Sequence, residues 1–215
     1  DTTENSTDIF IVKYDGSGNV LWAKSAGGTS NDEGFSVSTD ANGNVFMTGY
    51  FSSSSITFGT TPLTNTDTTG NFMDIFIVKY DGAGNALWNK SAGGTSDDYS
   101  SSVSTDANGN AFMTGSFYGS FITFGTTTLT NTDTTGNSID IFIAKYDGMG
   151  NVLWNKSAGG ITNDYSFSVS TDVNGNVYMT GSFSDSSITF GTTPLMNTDI
   201  TGNSMDIFIV KYDGV

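Results

Sequence analysis

The 215-residue chain contains no cysteine, no histidine and no arginine, and its only bases are seven lysines. Each absence removes a class of chemistry. Without His or Cys there is no Ser-His-Asp triad, no Cys-His pair and no His/Cys zinc or haem site. Without Arg there is no bidentate clamp for phosphate or carboxylate. Twenty-two acids leave a net charge of -15, which argues against a nucleic-acid partner because binding the phosphate backbone depends on Lys and Arg. The longest apolar run is about four residues, as at Ile9–Val12, whereas a membrane helix needs about 20. No membrane insertion is expected.

What is present favours strands and turns. Serine and threonine make up 60 residues and glycine 27, while glutamate occurs only at Glu4 and Glu33. Thr, Val, Ile, Phe and Tyr suit a pleated surface, and Gly, Asn and Asp suit the turns between strands. Aromatic residues at 13% supply enough apolar area for a core, so the polar bulk does not imply disorder. An acidic, Ser/Thr-rich chain without disulfides fits a protein secreted by a bacterium or held at its surface, and an extracellular or cell-surface location is expected.

The sequence repeats. DIFI begins at Asp8 and recurs at Asp74, Asp140 and Asp206, a spacing of 66 each time, and residues 8–73 and 74–139 are identical at 51 of 66 positions. Such a period marks an array of supersecondary units. Within one unit, Ile9–Tyr14 alternates, with Ile9 and Ile11 on one face and Phe10, Val12 and Tyr14 on the other. A turn at Asp15–Asn19 leads to a strand over Val20–Ser25 carrying Trp22. After the Gly27-Gly28 break come strands over Phe35–Thr39 and Val45–Phe51, joined by the turn Asp40–Asn44. Two Gly/Asn-closed hairpins are a strand-turn-strand signal. A Thr-rich excursion follows, with a short strand at Ile56–Phe58 and a hairpin partner near Leu63.

Four antiparallel strands every 66 residues describe a propeller blade with an insertion. The runs DIFIVKYDGSGNVLWAKSAGG, SVSTDANGNVFMTGYF and SITFGTTPLT together resemble the bacterial SBBP-type β-propeller repeat family. The resemblance covers all three units and implies secreted or surface-attached bacterial proteins, mostly of unassigned function, with no catalytic residues to carry over.

The expected fold is all-β: tandem 66-residue, four-stranded antiparallel propeller-type blades with an extra Thr-rich hairpin, not closed as a propeller within this chain. The division reads as a partial blade over 1–31 (the last two strands), blades over 32–97 and 98–163, and a partial blade over 164–215 lacking its last strand. Three blades are too few to close a ring, since propellers run from about four blades upward. Two readings stay open: a window on a longer repetitive chain, or blades completed between molecules. Either leaves β edges that invite a further strand.

Candidate sites each have a functional and a structural reading. The loops containing Asp40, Asn42 and Asn44, Asp106, Asn108 and Asn110, and Asp172, Asn174 and Asn176 place alternate oxygen side chains as a calcium loop does, but lack the Gly and Glu of an EF-hand and equally suit hairpin turns. Calcium is the cation these loops would take, and no other cofactor is expected. Asp32, Asp97-Asp98 and Asp164 read as a second acidic loop open to cations. All seven lysines occupy two repeat positions, Lys13-type and Lys24-type. They read either as an ion-pair ladder with Asp8- or Asp32-type carboxylates or as lysines guarding exposed strand edges.

Trp22, Trp88 and Trp154 read as core residues or as sugar-stacking platforms. The tips that vary between units, with Tyr50, Ser52, Tyr118, Phe121 and Asp185, are candidates for recognising a glycan or a surface protein. Thr2, Thr68 and Thr134 follow Asp in patterns similar to the O-glycosylation sites of Bacteroidetes-like bacteria. Paired carboxylates could hydrolyse glycosides, but these acids recur in every unit whereas catalysis needs one asymmetric constellation, so no enzyme is expected. The function expected is an extracellular structural repeat protein whose partner is itself, forming a fibre, sheath or adhesin stalk. The alternative is a lectin-like or protein-binding adhesin module.

Overall fold

β-Branched and aromatic residues alternating with Ser and Thr, interrupted by Asp-x-x-Gly-Asn turns, dictate short extended strands. The computed structural model describes residues 6–67, 72–199 and 204–213, and among these the chain has 19 strands and no helix. The hairpin β1 (Ile9–Tyr14) and β2 (Val20–Ala26) comes first. It is followed by β3 (Asp32–Thr39), β4 (Val45–Phe51), the small hairpin β5 (Ser55–Phe58) and β6 (Thr61–Thr64), then β7 (Asp74–Tyr80) and β8 (Ala86–Gly93). The pattern repeats as β9 (Asp98–Thr105), β10 (Ala111–Phe117), β11 (Phe121–Phe124), β12 (Thr127–Thr130), β13 (Asp140–Tyr146) and β14 (Val152–Ala158). It then runs through β15 (Tyr165–Thr171), β16 (Val177–Phe183), β17 (Ser187–Phe190), β18 (Thr193–Met196) and β19 (Asp206–Tyr212).

Pairing is antiparallel throughout, in the order β3-β4-β7-β8, then β9-β10-β13-β14, then β15-β16-β19, with β1-β2 alone. These are open tandem blades, and no closed propeller or barrel forms among the described residues. The Thr-rich insertion is a hairpin in each unit, and β11 also pairs with β8 of the preceding blade, through Thr123 with Gly93 and Phe124 with Ala92. The insertion therefore widens the sheet of its neighbour.

Alternation on the third strand of each blade builds the core between blades. Ile9 and Ile11 of β1 pack with Phe76, Val78 and Tyr80 of β7. Ile75 and Ile77 on the opposite face of β7 pack with Phe142, Ala144 and Tyr146 of β13, and Ile141 and Ile143 pack with Phe208 of β19. The isoleucine face of one blade thus covers the aromatic face of the next. Each such side chain contributes about 1.5–3 kcal/mol relative to exposure to water. The first strands of successive blades are stitched by hydroxyls: Thr105 Oγ1 donates to Thr39 O at 2.8 Å, and Thr171 Oγ1 to Thr105 O at 2.7 Å.

Candidate functional site

The Asp40–Asn44 turn shows what the repeated Asp-x-Asn-Gly-Asn segments do. Asp40 Oδ1 accepts from the amides of Asn42 and Asn44, both at 2.9 Å, and Oδ2 accepts from Asn44 Nδ2 at 2.7 Å. Gly43 closes the turn at a φ of 77°, which glycine adopts at little cost. Asp106 with Asn108 and Asn110, and Asp172 with Asn174 and Asn176, repeat the pattern. Burial pushes the Asp40 carboxyl up, but the Asn44 side chain, the two amides and Lys79 bring it below the ordinary carboxylate value. The oxygens a calcium ion would need already face N–H donors. Among the described residues, no group of three or more acidic side chains is spaced to hold a metal.

The Lys13-type lysines pair differently from either expectation, whereas Lys24, Lys90 and Lys156 are exposed on β2, β8 and β14. Lys79 is buried, not a guard on an exposed edge, and its nearest carboxylate is Asp40, with Nζ to Oδ2 at 3.7 Å. Its ammonium lies 4.9 Å from the centroid of the Phe46 ring and donates to Gly148 O of the next blade at 3.2 Å. Trp88 Nε1 donates to the same carbonyl at 3.0 Å. One unit earlier, Lys13 and Trp22 both donate to Gly82 O, at 3.0 and 3.1 Å. The ladder register places Lys opposite Trp on neighbouring strands, so both donors reach one turn of the following blade. Trp88 also packs edge-on to Phe46 and stacks with Tyr146.

The expected second acidic loop is divided: Asp97 and Asp164 lie in the connections just before β9 and β15, whereas its other members are strand residues. Asp32 and Asp98 open β3 and β9, and Asp32, Asp98 and Asp164 are all fully buried. Each tethers a Gly-Gly segment: Gly28 N donates to Asp32 Oδ2 at 2.8 Å, Gly94 N to Asp98 Oδ2 at 2.9 Å, and Gly160 N to Asp164 Oδ2 at 3.0 Å. Asp74 and Asp140, also buried, lie against the first glycine of the same segments. A β-carbon on Gly93 or Gly159 would meet Asp74 Oδ1 or Asp140 Oδ1 at 1.9 and 2.0 Å. Burial pushes Asp74 up to about 6 and Asp164 up to about 7, and raises Asp98 and Asp140. The signal in the sequence is the constant separation of 24 residues between Asp8 and Asp32, Asp74 and Asp98, and Asp140 and Asp164. The packing alone shows that the first aspartate of each pair belongs to the junction.

Of the variable residues, Tyr50 is not a tip. It lies in β4, buried between Phe35 and Tyr99, with ring centroids 5.4 and 5.6 Å away. The two-residue period of the strand turns it inward against the next blade. Ser52, Tyr118, Phe121 and Asp185 are half-buried, and Asp185 Oδ2 accepts from Thr162 N at 3.1 Å. Thr134 is exposed in its turn, whereas Thr2 and Thr68 lie outside the described residues.

The two ends of the array carry open faces. Phe10 is 76% exposed while its counterparts Phe76 and Phe142 are fully buried; Ile207 is 86% exposed while Ile75 and Ile141 are fully buried. Beside the first face, Phe10, Val12, Tyr14, Trp22, Val37 and Val45 line a groove of about 630 Å³.

No protein-family profile matches the sequence. The chain is 33% identical over 175 residues to an uncharacterized WD repeat-containing protein of Acanthamoeba polyphaga mimivirus, a match covering 77% of this chain and 13% of that protein. It is 27% identical over 112 residues to the regulatory protein FlaEY of Caulobacter vibrioides, covering 52% of this chain and 12% of that protein. The match therefore spans about an eighth of the length of these relatives. A crystal structure of a Bacteroides caccae protein of unknown function aligns over 94% of this chain and 72% of that one, at 12% identity and a TM-score of 0.30. The open tandem blades and the WD repeat-containing relative fit a β-propeller-type repeat family.

Proposed function

We propose that the chain is a non-enzymatic, extracellular repeat module of the SBBP type that associates with further copies of itself, blade face to blade face, to build a fibre, sheath or stalk. The observation that carries the reading is the contrast between repeats. The face bearing Phe10, Val12 and Tyr14 and the face bearing Ile207 and Ile209 are the same two surfaces that meet at every internal junction. Placed end to end, one copy offers Ile207 and Ile209 to the Phe10 face of the next. A contact of that kind is heterologous and propagates instead of closing. A further repeat on one longer chain would occupy the faces in the same way. The names of the two relatives, WD repeat-containing and regulatory, are compatible with a module that acts by contacting proteins.

Sedimentation across a concentration series, with negative-stain microscopy, tests this. The 215-residue chain is expected to lengthen into oligomers as concentration rises. Phe10→Lys and Ile207→Lys are each expected to abolish growth alone and to give dimers only when mixed, since each retains the face that the other lacks. A chain that stays monomeric at every concentration overturns self-association.

The adhesin reading draws on the half-exposed Tyr118 and Phe121 in the second unit. Binding to an immobilised glycan or surface protein that Tyr118→Ser removes would favour it.

A further inference from the structure

The junction between consecutive blades contains two buried carboxylates and no base to neutralise them. Asp74 and Asp98 are both at most 1% exposed and flank the same Gly93-Gly94 segment, one against Gly93 and the other bonded to the Gly94 amide. Asp98 Oδ1 is buried without any hydrogen-bond partner. Thr66 Oγ1 lies 2.8 Å from Asp74 Oδ1 and 2.9 Å from Gly94 O, and its single proton can satisfy only one of them. At the next junction Asp140 and Asp164 flank Gly159-Gly160, but Asp164 is satisfied, its Oδ1 accepting from Ser184 N at 3.2 Å and its Oδ2 from the Gly160 amide at 3.0 Å. There, both contacts from Thr132 fall on Asp140 Oδ2 and leave Oδ1 buried and unpartnered.

A buried carboxylate oxygen without a donor is costly, and each junction has one, on Asp98 in the first and on Asp140 in the second, beside a second carboxylate whose oxygens are hydrogen-bonded. The polar groups at the first junction are two carboxylates, a threonine hydroxyl, a glycine carbonyl and backbone amides, and at the second a third carboxylate, Asp185, lies against Gly160. Oxygen-only donors with two negative charges suit a hard divalent cation. Gly93 and Gly159 are needed because a β-carbon there would meet the Asp74 or Asp140 carboxylate.

We propose that each internal blade junction binds one hard divalent cation of the calcium class, held between the Asp74 and Asp98 carboxylates at the first junction and between Asp140 and Asp164 at the second. The cation would tie the third strand of one blade to the first strand of the next. It would also offset part of the -4 charge that each unit carries through six acids and two lysines. This site is separate from the Asp40-type turns and does not depend on association between chains.

The test is thermal unfolding of the chelated protein with CaCl2, MgCl2 or NaCl added at matched ionic strength, together with calorimetric titration of CaCl2. Saturable binding of about two calcium ions per chain and a rise in Tm are expected. Asp98→Asn combined with Asp164→Asn is expected to abolish both responses, while the variant in chelator unfolds at or above the wild-type temperature because a buried charge has gone. Asp172→Asn, in a turn, should leave both responses intact. The proposal is overturned if calcium neither binds nor shifts Tm, or if Asp172→Asn removes the response and the junction variant keeps it.

Discussion

Lys79 and Trp88 face each other across β7 and β8 and donate to one acceptor, the Gly148 carbonyl in a turn of the following blade. The ammonium and the indole together tie the two blades at their outer ends. The same pair one unit earlier, Lys13 and Trp22, holds Gly82 but stands at the uncovered end of the array.

Trp88→Phe removes the indole donor and keeps most of the apolar contact. A loss of about 1–2 kcal/mol is expected, the scale of one hydrogen bond plus some packing. Trp22→Phe, at the open end, should cost less than half of that. Urea unfolding followed by circular dichroism compares the two, and equal losses would contradict the weakening of this contact at the open end.

Gly49 and Gly43 separate steric need from conformational need. A β-carbon on Gly49 would lie 1.9 Å from Glu33 O and 2.7 Å from the Phe76 ring, whereas at Gly43 it meets nothing within 4 Å. Gly49→Ala is expected to destabilise by about 3 kcal/mol or more because the backbone of β3 cannot retreat. Gly43→Ala should cost about 1 kcal/mol, through its positive φ alone. Denaturant midpoints of the two variants test the ranking.

The buried aspartates set a pH dependence opposite to that of ordinary paired carboxylates. Asp74 and Asp164 hold their protons up to about 6 and 7 when folded, whereas an unfolded Asp releases its proton near 3.9. Their contribution to stability is therefore full below about pH 4 and is lost as pH rises through these folded values. The turn aspartates Asp15, Asp81 and Asp172 are shifted downward by their Asn partners and act below that window. In chelator, Tm should fall between pH 4.5 and 7.5, and Asp98→Asn with Asp164→Asn should flatten the slope. A Tm that rises over this range would contradict the burial of these groups.

Thr48 donates a hydroxyl to Phe76 O at 2.7 Å, and its oxygen lies 2.8 Å from Ser100 Oγ of the next blade. Thr48→Val keeps the volume but removes a fully buried polar group from a network spanning two blades. A loss of about 1–2 kcal/mol is expected, and Ser100→Ala in the same chain should add less than its separate cost. A double-mutant cycle by denaturant unfolding measures the coupling.

Much of the fold was legible because its causes are local. The 66-residue period, the alternation in Ile9–Tyr14 and the Asp-x-x-Gly-Asn turns each specify a strand or a hairpin through nearest neighbours and backbone preference. The Thr-rich hairpin was legible for the same reason, although its pairing with the preceding blade was not. The candidate sites were less so. Asp32 looked like a loop acid because Gly-Gly and polar residues surround it in sequence, and Tyr50 looked like a tip because it differs between repeats. Asp32 is buried between Gly28 of the preceding partial blade and Ser53 of its own, and Tyr50 between Phe35 and the next blade's Tyr99.

The amino-acid sequence by itself determined the repeating strands, the acidic balance and the absence of His, Cys and Arg chemistry. It could not distinguish Phe10 from Phe76, or Ile207 from Ile75, since each pair sits in the same DIFIVKY strand. Tertiary structure alone made the first of each pair surface and the second core. Exposure depends on whether another blade lies against the strand, and that is decided by packing across the array, not by local sequence.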